Sequence, residues 1–300
     1  MFCPRIIMAK TSIIIPSRNE RFLNQTVADL LSKGGDIEVL VVLDGYWPAE
    51  MPAPDRRLHF LHWVKPHGMR ANINAAVAIA RGEYLMKCDA HCMFGEGYDE
   101  ILKADCADNW IVIPRRYSLD AEAWRPTDKE PIDAMHYFYP YAHPDDLGLH
   151  GRPWMQRGRE RKEILLDEDV TFQGSCWFMR RSHWERIGPM QEHGYETFMG
   201  EPQELGFKTQ LGPWHGAIMR NKKTWYAHLH KGRTYGRMYH MSQSERVRGN
   251  AYSFDFWWSN RWVERAHDIE WLIDRFWPHP GWPENWKEIK HADQPVPALP

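Results

Sequence analysis

The sequence predicts an α/β protein with a mostly parallel central sheet flanked by helices, and three observations carry that expectation. Thr11–Ile15 (TSIII) is a short β-rich run stopped by Pro16. Ile37–Leu43 (IEVLVVL) is nearly continuous hydrophobe, as in a strand covered on both faces. Stretches of helical period lie after each of these runs, so the segment 11–88 reads as β-α-β-(β)-α-β. That alternation implies right-handed crossovers, with ligands bound beyond the carboxyl ends of the strands.

Taken in order, Phe22–Lys33 carries Val27, Leu30 and Leu31 at helical spacing and ends at Gly34-Gly35. Phe60–Val64 is expected as a third strand. Asn72–Ala80, with Ile73, Val77 and Ile79, is expected as a second crossover helix closed by Gly82. Tyr84–Cys88 is the fourth strand. Residues 98–106 then suit a helix and Trp110–Pro114 a strand. From Ser118 to Asp169 the pattern breaks into Pro, Asp, His and Tyr and a charged run at 157–163, read as an irregular excursion with a hairpin. Order returns at Val170–Met179. Short helices are expected at Ser182–Ile187 and Gly200–Leu211, then at Glu245–Arg248 and Trp262–Phe276, before a Pro/Trp-rich tail from Pro278. The expected organisation is a catalytic domain over 1–230, with a nucleotide-binding half at 11–114 and an acceptor-side half at 115–230. Residues 231–300 form a helical, Pro/Trp-rich extension.

Composition narrows the function. The 300 residues carry 38 Lys+Arg and 40 Asp+Glu, a formal charge of −2 that argues against a general nucleic-acid coat. Cys3, Cys88, Cys92, Cys106 and Cys176 form no paired framework, which fits a reducing compartment. The strand-like run begins too early for a signal peptide, and no stretch approaches 18 apolar residues, so the expected location is the cytoplasm. Sixteen tryptophans, many beyond residue 210, suit either core or subunit packing, including a homo-oligomer through the extension, or a carbohydrate-facing surface.

The residues after each strand are the ones placed for chemistry. Asp89-Ala90-His91 leaves the fourth strand, and a carboxylate with an imidazole suits Mn²⁺ or Mg²⁺ while leaving positions for phosphate oxygens. His228, in Tyr226–His230, is placed to close a three-ligand site; strand alternation facing solvent is the plainer alternative for His228 and His230. Pro16, Arg18 and Glu20 follow the first strand and are expected to line the donor pocket, although Asn19 and Glu20 also suit a helix cap. Asp44 ends the second strand, where a carboxylate accepts from a nucleobase N–H or a ribose hydroxyl. Arg70 and Asn72 open the second helix, whose positive end favours phosphate. Glu201 and Glu204 stand three apart at a helix start, on one face, either holding substrate hydroxyls or answering the helix dipole. No Gly-rich dinucleotide or P-loop motif occurs.

In these pieces the chain resembles GT-A fold glycosyltransferases of the family 2 type over residues 11–230. The matching stretches are SIIIPSRNE, VVLDG, GMRANINAAVAIARGEYLMKCDAH, GSCWFMRRSHWERIG, FMGEPQELGFK and AHLHK. The D-x-H variant, G-E-x-x-E-L and the downstream histidine are similar to the catalytic domain of polypeptide N-acetylgalactosaminyltransferases. The resemblance implies Asp44 on the base of a UDP-sugar, Asp89, His91 and His228 on the metal, and retention of anomeric configuration. It places Phe198-Met199-Gly200-Glu201 where those enzymes carry tryptophan-glycine-glycine-glutamate, so the tryptophan and one glycine are replaced. Expected acceptors are a glycan or a small molecule, or a hydroxymethylated base in duplex DNA reached along basic stretches at 152–162 and 208–237. A nucleotidyltransferase and a non-catalytic sugar-binding module are the alternatives from other classes.

Overall fold

A computed structural model of the chain describes residues 11–142, 149–196, 199–236 and 241–292, except the side chain of Arg233. Cys3, Phe198, Arg237 and the end of the Pro-rich tail lie outside the described residues. The first half runs β1 (Thr11–Ser17), α1 (Leu23–Lys33), β2 (Ile37–Asp44), β3 (Leu58–Trp63), α2 (Met69–Ile79), β4 (Tyr84–Cys88), β5 (Cys92–Phe94), α3 (Tyr98–Ala104) and β6 (Trp110–Asp120). There follow β7 (Arg125–Pro126), β8 (Met135–Tyr137), β9 (Gly151–Pro153), α4 (Met155–Glu160), β10 (Leu166–Asp169), β11 (Cys176–Arg180), α5 (Arg181–Ile187), α6 (Glu201–Leu211) and β12 (Ala217–His228). The chain ends through α7 (Gly232–Tyr235), α8 (Gln243–Trp258), α9 (Ile269–Arg275) and α10 (Trp286–His291).

The main sheet has the order β10-β12-β6-β11-β4-β1-β2-β3. β3, β2, β1 and β4 are mutually parallel, and β12 runs parallel to β6. Every residue of β2 is buried, as its nearly continuous apolar run predicts, and α1 and α2 turn Val27, Leu30, Ile73 and Ala76 onto the sheet. The β3 boundary is a correction of two residues: the strand starts at Leu58, and Val64 is 86% exposed beyond its end.

Reversed strands are the part that apolar patterning did not reveal. β11 is inserted antiparallel between β4 and β6, pairing Cys176 with Cys88. Residues 172–175 therefore arrive at the end of the sheet where β4 exits, and Ser175 O accepts from Asp89 N at 3.0 Å. β10 joins the edge against β12 although its sequence, LDED, is acidic. Arg161 neutralises Asp167 at 2.6 Å and Arg220 neutralises Asp169 at 3.0 Å, which makes burial of those carboxylates tolerable. The excursion expected after Ser118 holds β7, paired back on β6, a separate β8–β9 ribbon, and α4 within the charged run.

A second apolar core joins α6 to α8 and α9. Phe207 and Leu211 pack among Phe254, Trp257, Trp258, Trp262, Leu272, Trp282 and Trp286, with Tyr137 and Leu149 beneath. Trp257 donates to Tyr195 Oη at 2.8 Å and Trp282 to Tyr137 O at 2.8 Å, so these two buried indole N–H groups have partners. These tryptophans are core residues of the chain itself. α8 is longer than the four residues expected, begun by a capping box between Ser242 and Glu245, while the expected 262–276 helix is confined to Ile269–Arg275 behind an Asp268 cap.

Candidate active site

A cleft of about 1010 Å³ opens beyond the carboxyl ends of β1, β2 and β4. At its floor three side chains meet. His228 Nε2 lies 3.2 Å from Asp89 Oδ2 and 3.2 Å from His91 Nε2, and His91 Nε2 lies 3.8 Å from Asp89 Oδ2. Among the described residues this trio is the group disposed to hold a metal ion, its donor atoms all within 4.8 Å of one another.

The fold explains the convergence. Asp89 and His91 stand two apart where β4 ends, and β5 follows at once. β5 pairs antiparallel with the end of β12, setting His228 opposite Cys92, and Leu229 N donates to His91 O at 3.2 Å. The solvent-facing alternative for His228 is thereby set aside: the residue is 9% exposed, whereas His230 is exposed.

Electrostatics prepare each ligand. Lys87, buried in β4, donates to Asp89 at 2.7 Å and lies 3.4 Å from Glu201. Burial works against the Lys87 ammonium, but the charges of Asp89 and Glu201 outweigh it and raise its pKa. Burial likewise works against ionised Asp89, yet Lys87 and the two histidines hold its carboxyl well below the usual range. Burial drives the His228 imidazole down to about 4 against the opposing pull of Asp89, so a lone pair is available at neutral pH. His91 turns its other nitrogen, Nδ1, toward Glu20 Oε2 at 3.3 Å, and Lys231 clamps both Glu20 oxygens at 2.7 Å.

The remaining expected residues divide into those that line the cleft and those that do not. Pro16, Arg18, Glu20, Asp44 and Asn72 line it. Asp44 accepts from the backbone N–H groups of His67 at 2.7 Å and Gly68 at 3.2 Å, which shapes the entry to α2. A carboxylate offers about four acceptor positions, so two are left for a ligand. Asn72 Oδ1 is buried with no partner. Arg70 and Glu204 are corrections: neither lines the cleft. They form a buried ion pair, 2% and 1% exposed, behind its wall. Arg70 also donates to Met199 O at 2.8 Å and Gln191 O at 2.9 Å, and its guanidinium lies 3.8 Å from the Tyr195 ring centroid. A helix-opening arginine and a first-turn glutamate find each other because the loop before α6 folds over the start of α2, which spacing alone does not reveal.

Glu201 does line the cleft, 3% exposed. It accepts from Trp177 Nε1 at 2.7 Å on one oxygen and faces Lys87 with the other. Burial raises its pKa, partly offset by Lys87 and Trp177. Sequence reasoning missed Lys87, Arg116, Arg246 and Asn250, all on the cleft. A lysine inside an apolar strand two residues before the D-x-H aspartate was the signal for the first; for the others no signal existed.

A parallel sheet whose fourth strand delivers D-x-H into a cleft, with a histidine returned beside it, defines a glycosyltransferase of the GT-A fold. The comparisons give the family. The model for glycosyl transferase family 2 matches residues 12–188, and the chain belongs to that family, whose members transfer sugars. Among curated proteins it is similar to polypeptide N-acetylgalactosaminyltransferase 3 of Mus musculus, 26% identical over 220 residues, and of Homo sapiens, 25% identical over 220 residues. Each alignment covers 69% of this chain and 34% of the relative, so the chain spans about a third of their length. The crystal structure of GalNAc-T7 with UDP, GalNAc and Mn²⁺ matches with a TM-score of 0.63 at 13% identity, covering 83% of this chain and 49% of that one. That likeness shows the shared fold. Among the described residues no helix is long and apolar enough to cross a membrane.

Proposed function

We propose that the chain transfers a sugar from a UDP-sugar to an acceptor hydroxyl, with Asp89, His91 and His228 holding a divalent cation and with the anomeric configuration retained. The observation that carries this reading is the meeting of one carboxylate and two imidazoles on the cleft floor. The donor set fits the ion: a mixed O/N trio with edges of 3.2–3.8 Å suits adjacent positions around a cation with bonds of about 2.0–2.2 Å. Bound there, Mn²⁺ or Mg²⁺ supplies Lewis-acid neutralisation of the nucleotide diphosphate.

The chain's own residues do the rest. Asp44, with acceptor positions to spare, takes a nucleobase N–H, and the unpartnered Asn72 Oδ1 takes a second donor from the nucleotide. Pro16 and Arg18 complete that wall. Glu20 faces His91 Nδ1 at 3.3 Å, and its charge favours the proton on that nitrogen, which keeps Nε2 toward the site. Lys87 pins Asp89 and Glu201 together. Both Glu201 oxygens already face donors, which fits a carboxylate that orients a substrate hydroxyl better than one that receives a proton. That favours retention over inversion through a Glu201 base. The acceptor is read as a glycan or small molecule, and the catalytic unit as residues 1–230 with the C-terminal helices attached.

The test is transfer from a panel of UDP-sugars with Mn²⁺ present, followed by NMR of the anomeric proton in the product. An α-linked product from an α-linked donor is expected. A β-linked product would overturn retention, and undiminished transfer by His91→Ala would overturn the metal assignment.

A further inference from the structure

We infer that the acceptor is anionic, carrying a phosphate or carboxylate group that is held on the side of the cleft facing away from the donor wall. The inference rests on the sugar-transfer reading above and names its acceptor class.

The cleft lining carries six Lys/Arg against four Asp/Glu, a local excess of positive charge in a chain whose formal charge is −2. Two of those cations are spoken for: Lys87 by Asp89 and Glu201, and Lys231 by Glu20. Arg116 and Arg246 are not. Neither guanidinium has a hydrogen bond or ion pair with the described residues, although both are half-buried and line the cleft. Burial without a partner lowers the pKa of Arg116. A half-buried guanidinium left unpaired is unfavourable until an anion reaches it.

A second observation is independent of charge. Asn250 lies one helical turn after Arg246 on α8, is 3% exposed and lines the same cleft, yet its side-chain amide makes no hydrogen bond among the described residues. The amide thus stands on the cleft beside a free guanidinium with both its donor and its acceptor available to a ligand.

Topology assigns these groups to the acceptor. The donor wall is made by the ends of β1 and β2 and the start of α2. Arg116 lies on β6, on the other side of β4 in the sheet, two residues before the Ser118 that pairs with His228. Arg246 and Asn250 come from α8. Arg152 on β9 adds a third guanidinium to the cleft, 4.2 Å from the Phe138 ring centroid. Guanidinium forks match the paired oxygens of phosphate and carboxylate, and the adjoining amide offers both a donor and an acceptor for a neighbouring hydroxyl.

The experiment uses the full chain and matched probe pairs: glucose with glucose 6-phosphate, glucose with glucuronate, and glycerol with glycerol 3-phosphate. Calorimetry first measures UDP binding with Mn²⁺, which tests the donor reading alone. Probe binding to the UDP–Mn²⁺ complex is then measured for wild type, Arg116→Gln, Arg246→Gln and Asn250→Ala. The expected result is that at least one anionic probe binds tenfold or more tightly than its neutral partner. Arg116→Gln and Arg246→Gln should each remove most of that preference while UDP affinity stays within about twofold. Equal binding of charged and neutral probes overturns the inference, as does a loss of UDP affinity in the arginine variants, which would assign these cations to the donor. A wild type that binds no UDP sinks the functional reading itself. Arg246→Gln lies on a half-exposed helix position, so it remains informative if Asn250→Ala fails to fold.

Discussion

The wall made by β1, β2 and the start of α2 and the wall made by β6, β9 and α8 are organised on opposite principles. On the first, the carboxylates are matched within the protein, Asp44 by two backbone N–H groups and Glu20 by Lys231, and the unpartnered Asn72 Oδ1 is the exception. On the second, Arg116, Arg246 and Asn250 stand without partners among the described residues. The difference teaches how the cleft divides its labour. A site that orients a nucleotide for bond breaking gains from groups whose geometry is held before the ligand arrives. A wall whose groups wait for a partner contributes chiefly to selecting what enters.

The largest effect should come from the floor where the two walls meet. His228→Ala or Asp89→Asn is expected to lower transfer by about a thousandfold or more, read as kcat/KM at saturating Mn²⁺. A loss below tenfold would show that the floor does not organise the reaction. Next is the support behind the wall. Arg70→Met leaves Glu204 with only Lys208 and the Gln191 N–H as partners and should lower stability by about 2–3 kcal/mol in chemical denaturation. Arg70→Met combined with Glu204→Leu should recover much of it; no recovery would mean that the backbone bonds from Arg70 to Met199 and Gln191 carry the effect. A smaller change is expected from Glu20→Gln: about 10- to 100-fold weaker Mn²⁺ binding with the fold intact, since the orienting carboxylate on His91 is lost. Unchanged metal affinity would make Glu20 a plain partner of Lys231.

The smallest effect contrasts the main core with the aromatic one. Burial pushes the imidazole of His183, on α5, to about 3 and that of His279, among the C-terminal tryptophans, to about 4. Both pKa values are depressed, so between about pH 6.5 and 4 the unfolded chain binds more protons than the folded one. The stability contributed by keeping these rings neutral is complete above about pH 6.5 and is lost as pH falls through that window. Thermal midpoints should therefore drop on acidification, and His279→Phe should flatten the slope. An unchanged slope in that variant would remove His279 from the account.

The two walls also differed in how readable they were. The donor wall was legible because each of its residues follows a run of buried hydrophobes, and a strand end is a place that sequence pattern marks directly. Asp44 after IEVLVVL and Asp89 after YLMKC are such cases. His91 and His228 were legible as residue types, but their meeting depended on β5 pairing with β12, a contact across 137 positions. Arg70 and Glu204 show the converse: correct neighbours of the site by sequence, drawn away from it by mutual attraction in a dry interior. β10 was illegible because its carboxylates are neutralised by arginines distant in sequence or in another element. Arg116, Arg246 and Asn250 gave no signal, since an arginine or asparagine in a polar stretch looks the same whether it faces bulk water or a cleft.

Nitrogen coordination at the cleft floor is what the proposed chemistry needs, and pulsed electron paramagnetic resonance of Mn²⁺ bound with UDP tests it most directly. Two histidine nitrogen couplings are expected in the wild-type protein, with one lost in His91→Ala and the other in His228→Ala. Mn²⁺ that binds through UDP alone, with no nitrogen coupling and no change in either variant, would contradict it.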